Sequence, residues 1–203
     1  MNRLLGQPRV TYDSNLIIYY CFSTKDFKIS QLTQKIHKLT EILVNNGSKI
    51  IIPKFIIKEI NNVTFSEIVC RYITEDSRAN NLTKRPTFLF RVELEGKIRK
   101  KFNKLLKKDW LLIEDCIQSK GLTDQITEFF LNLDDYKLKG FLAKKKKSNP
   151  LPSKIDIKLI GFSKESNSIL ISNDYDITYF ASELFKKGLS GKIYNLKDIC
   201  VNN

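Results

Sequence analysis

The side chains best placed to do chemistry together in this chain are acidic. Asp13 closes the short run Arg9-Val10-Thr11-Tyr12, and Asp174 follows another, Ser168-Ile169-Leu170-Ile171-Ser172, with Asp176 two positions further on. A short apolar run ended by polar residues reads as a buried parallel strand. Its C-terminal end lies at the edge of an open α/β sheet where ligands gather. Glu59 sits in a helical pattern begun by Pro53, and Asp156 falls in the first turn of a helix expected from Ser153 to Lys164. If the first and the late strand are neighbours, Asp13, Glu59, Asp156 and Asp174 converge on one edge. Two carboxylates about 4 Å apart repel by about 4 kcal/mol at an effective dielectric of about 20, so four gathered there call for a cation. All-oxygen ligation selects Mg²⁺ or Mn²⁺ over zinc, which takes His or Cys. A carboxylate cage of this kind is equipment for in-line attack of water on a phosphodiester. Taken singly, each acid is as readily a cap: Asp156 suits a helix N-terminus, and Asp174 suits the cap of the helix after it. The functional expectation rests on the four together.

The elements that must position these acids follow from periodicity. After the first strand, Leu16 to Phe22 reads as a helix packed on the sheet, with Ser14 as its cap. Ile29, Leu32, Ile36, Leu39 and Leu43 recur at helical spacing, and Asn45-Asn46-Gly47 ends that helix. His37, the only histidine, falls on its polar face, which assigns it to solvent and argues against a histidine base. Ser48 to Pro53 is a second strand, and Pro53 suits the first turn of the helix that carries Phe55, Ile56 and Glu59 and fades at Asn61-Asn62. Strand and helix alternating in this way imply a parallel sheet with right-handed crossovers. The closing third returns to the same order. A helix with Ile177, Phe180, Ala181 and Leu184 inward follows Asp174, and a last short strand lies around Lys192–Tyr194.

Between these ends, from about 63 to 149, helical periods dominate. Leu94, Ile98, Phe102 and Leu105 make one apolar stripe; Ile126, Phe129, Leu133 and Tyr136 make another. Trp110-Leu111-Leu112-Ile113 fits a short strand or a helix continuation equally well. The first stripe is backed by Lys97, Arg99, Lys100, Lys101, Lys104, Lys107 and Lys108, and Lys144, Lys145, Lys146 and Lys147 form a second basic cluster. A single charge run is usually a solvated face. Two of them in one region of a chain with a formal net charge of +13 point to a phosphate-binding surface. The 203 residues, 42% of them hydrophobic, suffice for one domain with a real core. Cys21, Cys70, Cys116 and Cys200 show no close pairing of the zinc or redox kind, so they read as reduced thiols. The early apolar run Leu16–Phe22 is far short of a membrane span, and Pro8 and Arg9 interrupt any secretion signal, so the expected location is cytoplasmic.

Four stretches carry a resemblance to PIN-domain nucleases: Tyr12-Asp13-Ser14-Asn15, Ile52-Pro53 through Lys58-Glu59-Ile60, Ser153-Lys154-Ile155-Asp156-Ile157, and Ile171-Ser172-Asn173-Asp174-Tyr175-Asp176-Ile177. The resemblance implies an α/β, PIN-like three-layer fold with a central parallel sheet and helices on both faces. It covers the two ends of the chain and leaves about 63–149 unassigned, implying a single domain over 1–203 with a basic helical insertion there. It further implies an Mg²⁺- or Mn²⁺-dependent endoribonuclease in which Asp13, Glu59, Asp156 and Asp174 bind metal and are catalytic. Asp176 would ligate through water or orient its loop, and Asn15 and Ser172 would support the others. The long stretch between Glu59 and Asp156 looks like that of RNA-free, single-protein ribonuclease P, which cuts precursor tRNA. Asp174-Tyr175-Asp176-Ile177 is also similar to ribosomal-RNA-processing PIN endonucleases. RNA is the expected partner, a homo-oligomer is compatible with the sequence, and no membrane is involved. Two alternatives stand beside this: a non-catalytic RNA-binding protein on a degenerate PIN fold, consistent with Lys158 near the acids, and a toxin-type PIN ribonuclease with an antitoxin partner.

Overall fold

The structure, a computed structural model, describes residues 8–22, 31–61, 88–116, 120–145 and 151–199. Ile29, Cys70, Cys200, Lys146, Lys147 and the segment 62–87 of the expected insertion lie outside the described residues, as do the side chains of Lys144 and Lys145. Five strands, β1 (Arg9–Tyr12), β2 (Lys49–Pro53), β3 (Leu111–Glu114), β4 (Ile169–Ser172) and β5 (Ile193–Asn195), form one sheet in the order β3-β2-β1-β4-β5. Every pairing in it is parallel. The described helices are α1 (Ser14–Cys21), α2 (Gln31–Asn45), α3 (Lys54–Glu59), α4 (Phe88–Leu105), α5 (Lys120–Leu131), α6 (Asp135–Lys145), α7 (Lys154–Glu165), α8 (Tyr175–Thr178) and α9 (Ala181–Lys186).

The chain leaves β1 toward β2 and β3, then returns to the other side of β1 for β4 and β5. Right-handed crossovers that reverse direction place helices on opposite faces of the sheet. Accordingly α1 packs with α2 and α4, and α7 packs with α5 and α8. This is the three-layer α/β architecture expected from the strand and helix alternation. The strands are apolar because both of their faces are covered: Val10, Ile50, Ile51, Ile52, Leu170 and Ile171 are all buried. The ladder between β1 and β4 sets Val10 opposite Ile169 and Tyr12 opposite Ile171. The switch in direction therefore falls between β1 and β4, the crevice where doubly wound sheets place their sites.

Several local expectations resolve differently. Residues 111–114 are a strand, paired to β2 with Leu111 opposite Ile50, so the middle of the chain supplies the sheet's edge. Leu94, Ile98, Phe102 and Leu105 of α4 are buried in the same hydrophobic core as the strands, so α4 belongs to the fold itself. The second stripe breaks at Asn132-Leu133-Asp134, where Asp134 Oδ1 accepts the amide of Lys137 at 2.8 Å and starts α6. The buried set there is Leu122, Ile126 and Phe130, while Tyr136 is 88% exposed. The helix expected over 177–184 is two short ones, because Phe180 leaves helical geometry at φ −103° and ψ 22°. Ile177, Phe180 and Leu184 still point inward. Pro53 ends β2 and stands just ahead of α3, whose first residue is Lys54.

His37 is not a solvated residue. Its ring stacks on Tyr20 with centroids 4.4 Å apart, and its Nε2 is buried with no hydrogen-bond partner among the described residues. Desolvation lowers its pKa, opposed by a hydrogen bond to the Phe22 backbone. Helical spacing put this residue on the polar face of α2, but Tyr20 of α1 covers that side. Cys21 and Cys116 are free thiols. Gly191 is required where the chain enters β5: a Cβ there would stand 2.4 Å from Ser168 O and 2.6 Å from Ser163 O. Among the described residues no helix is long and apolar enough to cross a membrane.

Candidate active site

The register between β1 and β4 brings Asp13 and Ser172 face to face at the C-terminal edge. Asp13 N donates to Ile171 O at 3.3 Å. The Asp13 carboxyl then divides its two oxygens. Oδ1 caps α1 by accepting the amide of Leu16 at 2.8 Å. Oδ2 accepts the Ser172 hydroxyl and the amide of Asn173, the latter at 3.2 Å. The cap of α1 is thus Asp13, and Ser14, the expected cap, is the first helical residue. Asp13 is only 3% exposed. Burial pushes its carboxyl up to about 7 against the pull of the Ser172 hydroxyl and the Leu16 amide, and the charge of Asp174 pushes the same way as burial.

Asp174 is held through the same serine. Its amide donates to Ser172 Oγ at 2.9 Å, so that one hydroxyl donates a hydrogen bond to Asp13 Oδ2 and accepts one from Asp174 N. Asp174 Oδ1 accepts the amide of Asp176 at 2.8 Å and caps α8. Asp176 is buried in the first turn of that helix. Asn15 is the second residue of α1, half-buried beside the Asp13 cap.

Asp156 enters from α7. Ser153 and Asp156 form a reciprocal capping box: Asp156 N donates to Ser153 Oγ and Ser153 N donates to Asp156 Oδ2, both at 3.1 Å. Burial pushes the Asp156 carboxyl up to about 6, the Ser153 bonds oppose the rise, and the charges of Asp174 and Glu59 add to it. Glu59, the last residue of α3, is raised by burial, and the Ser14 hydroxyl that bonds it pulls the other way. Its Oε2 is buried without a hydrogen-bond partner among the described residues. The electrostatic contacts run Asp13 to Asp174, Asp174 to Asp156, and Asp156 to Glu59. The four acids therefore lie as neighbours along one edge.

They do not close into a ready-made metal cage. Among the described residues no group of three or more His, Cys, Asp or Glu is placed to hold a metal ion. The physical reason is visible in the caps. Asp13 commits both oxygens to donors, and Asp174 and Asp156 each commit one to an amide, while mutual repulsion favours splaying. The donor chemistry itself suits a hard divalent cation, since every candidate ligand is a carboxylate and Glu59 Oε2 is unengaged.

Two contributors escaped the sequence reading. Ser153 was legible as the start of a Ser-x-x-Asp capping pattern. Ser14 as the donor to Glu59 had no local signal, because the two are distant in the chain and meet only where α1 passes α3. The basic residues also lie elsewhere than expected. Lys97, Lys100, Lys101 and Lys104 are exposed on α4, Arg99 is half-buried, and Lys107 and Lys108 are exposed in the turn before β3. That turn is at the N-terminal edge of the sheet, the edge opposite the acids. Comparison of the chain with protein-family models and with curated proteins finds no match to either.

Proposed function

We propose that this chain is a PIN-like, Mg²⁺- or Mn²⁺-dependent endoribonuclease of the cytoplasm that hydrolyses phosphodiesters of a structured RNA such as precursor tRNA or rRNA. The observation that carries the proposal is the charge-coupled row Asp13, Asp174, Asp156 and Glu59 at the β1–β4 switch point, with Asp13 and Asp156 held well above the ordinary carboxylate range. Carboxylates desolvated together oppose folding, and groups perturbed in this way cluster at functional sites. The four acids would hold the cation, which when bound supplies Lewis acidity and orientation to a phosphodiester and its attacking water. The Ser172 hydroxyl orients Asp13 by donating to its Oδ2, and Glu59 Oε2 offers an oxygen that no cap consumes. At neutral pH Asp13 is about half protonated, so cation binding there releases a proton.

One observation favours a second reading, a non-catalytic RNA-binding protein: the acids already serve as helix caps at the ends of α1, α7 and α8. Incubating a labelled structured RNA with the protein in Mn²⁺, and separately in EDTA, separates the two. Cleavage in Mn²⁺ that EDTA abolishes is the expected result. RNA binding with no cleavage in Mn²⁺ selects the scaffold.

A further inference from the structure

The lysines of α4 are not spread around the helix. At 3.6 residues per turn, Lys97, Lys100, Lys101 and Lys104 fall within an arc of about 100° on one flank of the buried stripe, with Arg99 on the other flank. All four lysines are exposed, and no ion pair engages them among the described residues. The helix that bears them packs on α1, and Lys101 is the member whose charge reaches α1 and α2. Burial pushes the Cys21 thiol up to about 12 and lowers the pKa of His37, and the charge of Lys101 acts on both groups. Beside this flank stands an aromatic group built from three elements. Tyr20 of α1 stacks on His37 of α2 at 4.4 Å and 28°, and meets Trp110 edge-on at 6.0 Å and 80°. Tyr20, His37 and Trp110 are each half-buried, with the His37 Nε2 on the covered side.

A lysine row alone would be a solvated helix face. Lysines near half-buried aromatic residues match the composition of a single-strand track, where cations follow the backbone and rings accept bases. The position is informative too. α1 begins at the Asp13 cap, and seven helical steps carry the chain about 10 Å from the acid edge to Tyr20. A stacked strand advances about 3.4 Å per phosphate, so about three nucleotides span that distance.

We propose that the flank of α4 bearing Lys97, Lys100, Lys101 and Lys104, together with Tyr20, His37 and Trp110, binds a single-stranded RNA segment running from the acid edge toward the opposite edge of the sheet. This rests on RNA as the ligand in the proposed function, and not on hydrolysis. It sets the stacking group about three nucleotides from the acid edge, and makes oligonucleotides too short to reach both poor ligands.

Trp110 is the only tryptophan of the chain, so its emission reports the track directly. The experiment titrates the full chain in EDTA with a ten-nucleotide oligouridylate, with a two-nucleotide one, with heparin, and with anionic phospholipid vesicles. The expected result is quenching of Trp110 by the ten-mer, at least tenfold weaker binding of the dinucleotide, and binding of heparin without comparable quenching. The double variant Lys101→Glu/Lys104→Glu, exposed at both positions and checked for native circular dichroism, should bind the ten-mer at least tenfold more weakly. Its log–log salt slope should be shallower by about 1.4, for two lost contacts to a single strand. Ten-mer binding that leaves Trp110 emission unchanged overturns the proposal, as does quenching by heparin or vesicles equal to that by RNA. So does a double variant that binds like the parent. Quenching by the ten-mer without Mn²⁺-dependent cleavage supports the track and retires only the nuclease; cleavage with Trp110 silent retires only the track.

Discussion

Replacing Asp13 with asparagine should make the protein more stable at alkaline pH. The Asp13 carboxyl is held at about 7 in the fold, against an ordinary value of 3.8 in an unfolded chain. The folded state therefore keeps a proton that the unfolded state gives up between those values. Below about pH 4 both states are protonated and there is no penalty. As pH rises toward 7 the unfolded state binds fewer protons, and stability falls. Above 7 both are ionised and the full penalty applies, about 4 kcal/mol at about 1.4 kcal/mol per pH unit. The neutral amide introduced by Asp13→Asn removes that penalty. Its carbonyl oxygen can still accept the Leu16 amide, while its NH₂ group faces the Asn173 amide, another donor, at a cost of about 2 kcal/mol. The net gain at pH 8 is about 2 kcal/mol, a rise in Tm of about 6 °C for a chain of this length. Thermal melts of parent and Asp13→Asn without divalent metal, from pH 4 to pH 8.5, measure it directly. The variant should be the less stable at pH 4, the two curves should cross at about pH 5, and they should diverge above it with the parent the steeper. Parallel curves, or a variant less stable at every pH, would show that Asp13 is an ordinary ionised cap and refute the electrostatic argument.

Other outcomes follow from single contacts. Asp13→Asn and Asp174→Asn should each lower Mn²⁺-dependent cleavage of a structured RNA at least a hundredfold while RNA affinity, measured by anisotropy in EDTA, stays within twofold. Ser153→Ala removes one half of the capping box on α7 and should cost about 1 kcal/mol in urea unfolding. Gly191→Ala forces a methyl against two backbone carbonyls and should cost about 2 kcal/mol or more by the same measurement. Phe102→Ala should cost about 4 kcal/mol, because α4 is anchored in the common core; a loss below about 1 kcal/mol would make α4 an appended arm.

The parallel sheet was legible because β1, β2 and β4 are short apolar runs ended by polar residues or proline, and burial on both faces leaves no other pattern. Strand β3 was not, since four apolar residues after a helix suit either state and only pairing with Ile50–Pro53 decides. His37 was misplaced because helical periodicity assigns faces relative to one partner, and α1 packs on α2 from a second side. The four acids could be named from their positions at element ends. The cap roles of Asp174 and Asp156 were legible as well, but that of Asp13 was not, because Ser14 beside it is an equally good cap and only the backbone geometry decides. Nor could spacing show that the basic run ends at the far edge of the sheet, because that follows from which way α4 runs into β3.

The central claim is that the carboxylates at the β1–β4 edge jointly hold a divalent cation. Electron paramagnetic resonance of Mn²⁺ titrated into the metal-free protein at pH 7.5 tests it without any RNA. The account predicts saturable loss of the free Mn²⁺ signal for the parent, and at least tenfold weaker binding for Asp13→Asn, Asp174→Asn and Glu59→Gln. A parent that leaves the free signal undiminished, or variants that bind as the parent does, would contradict it.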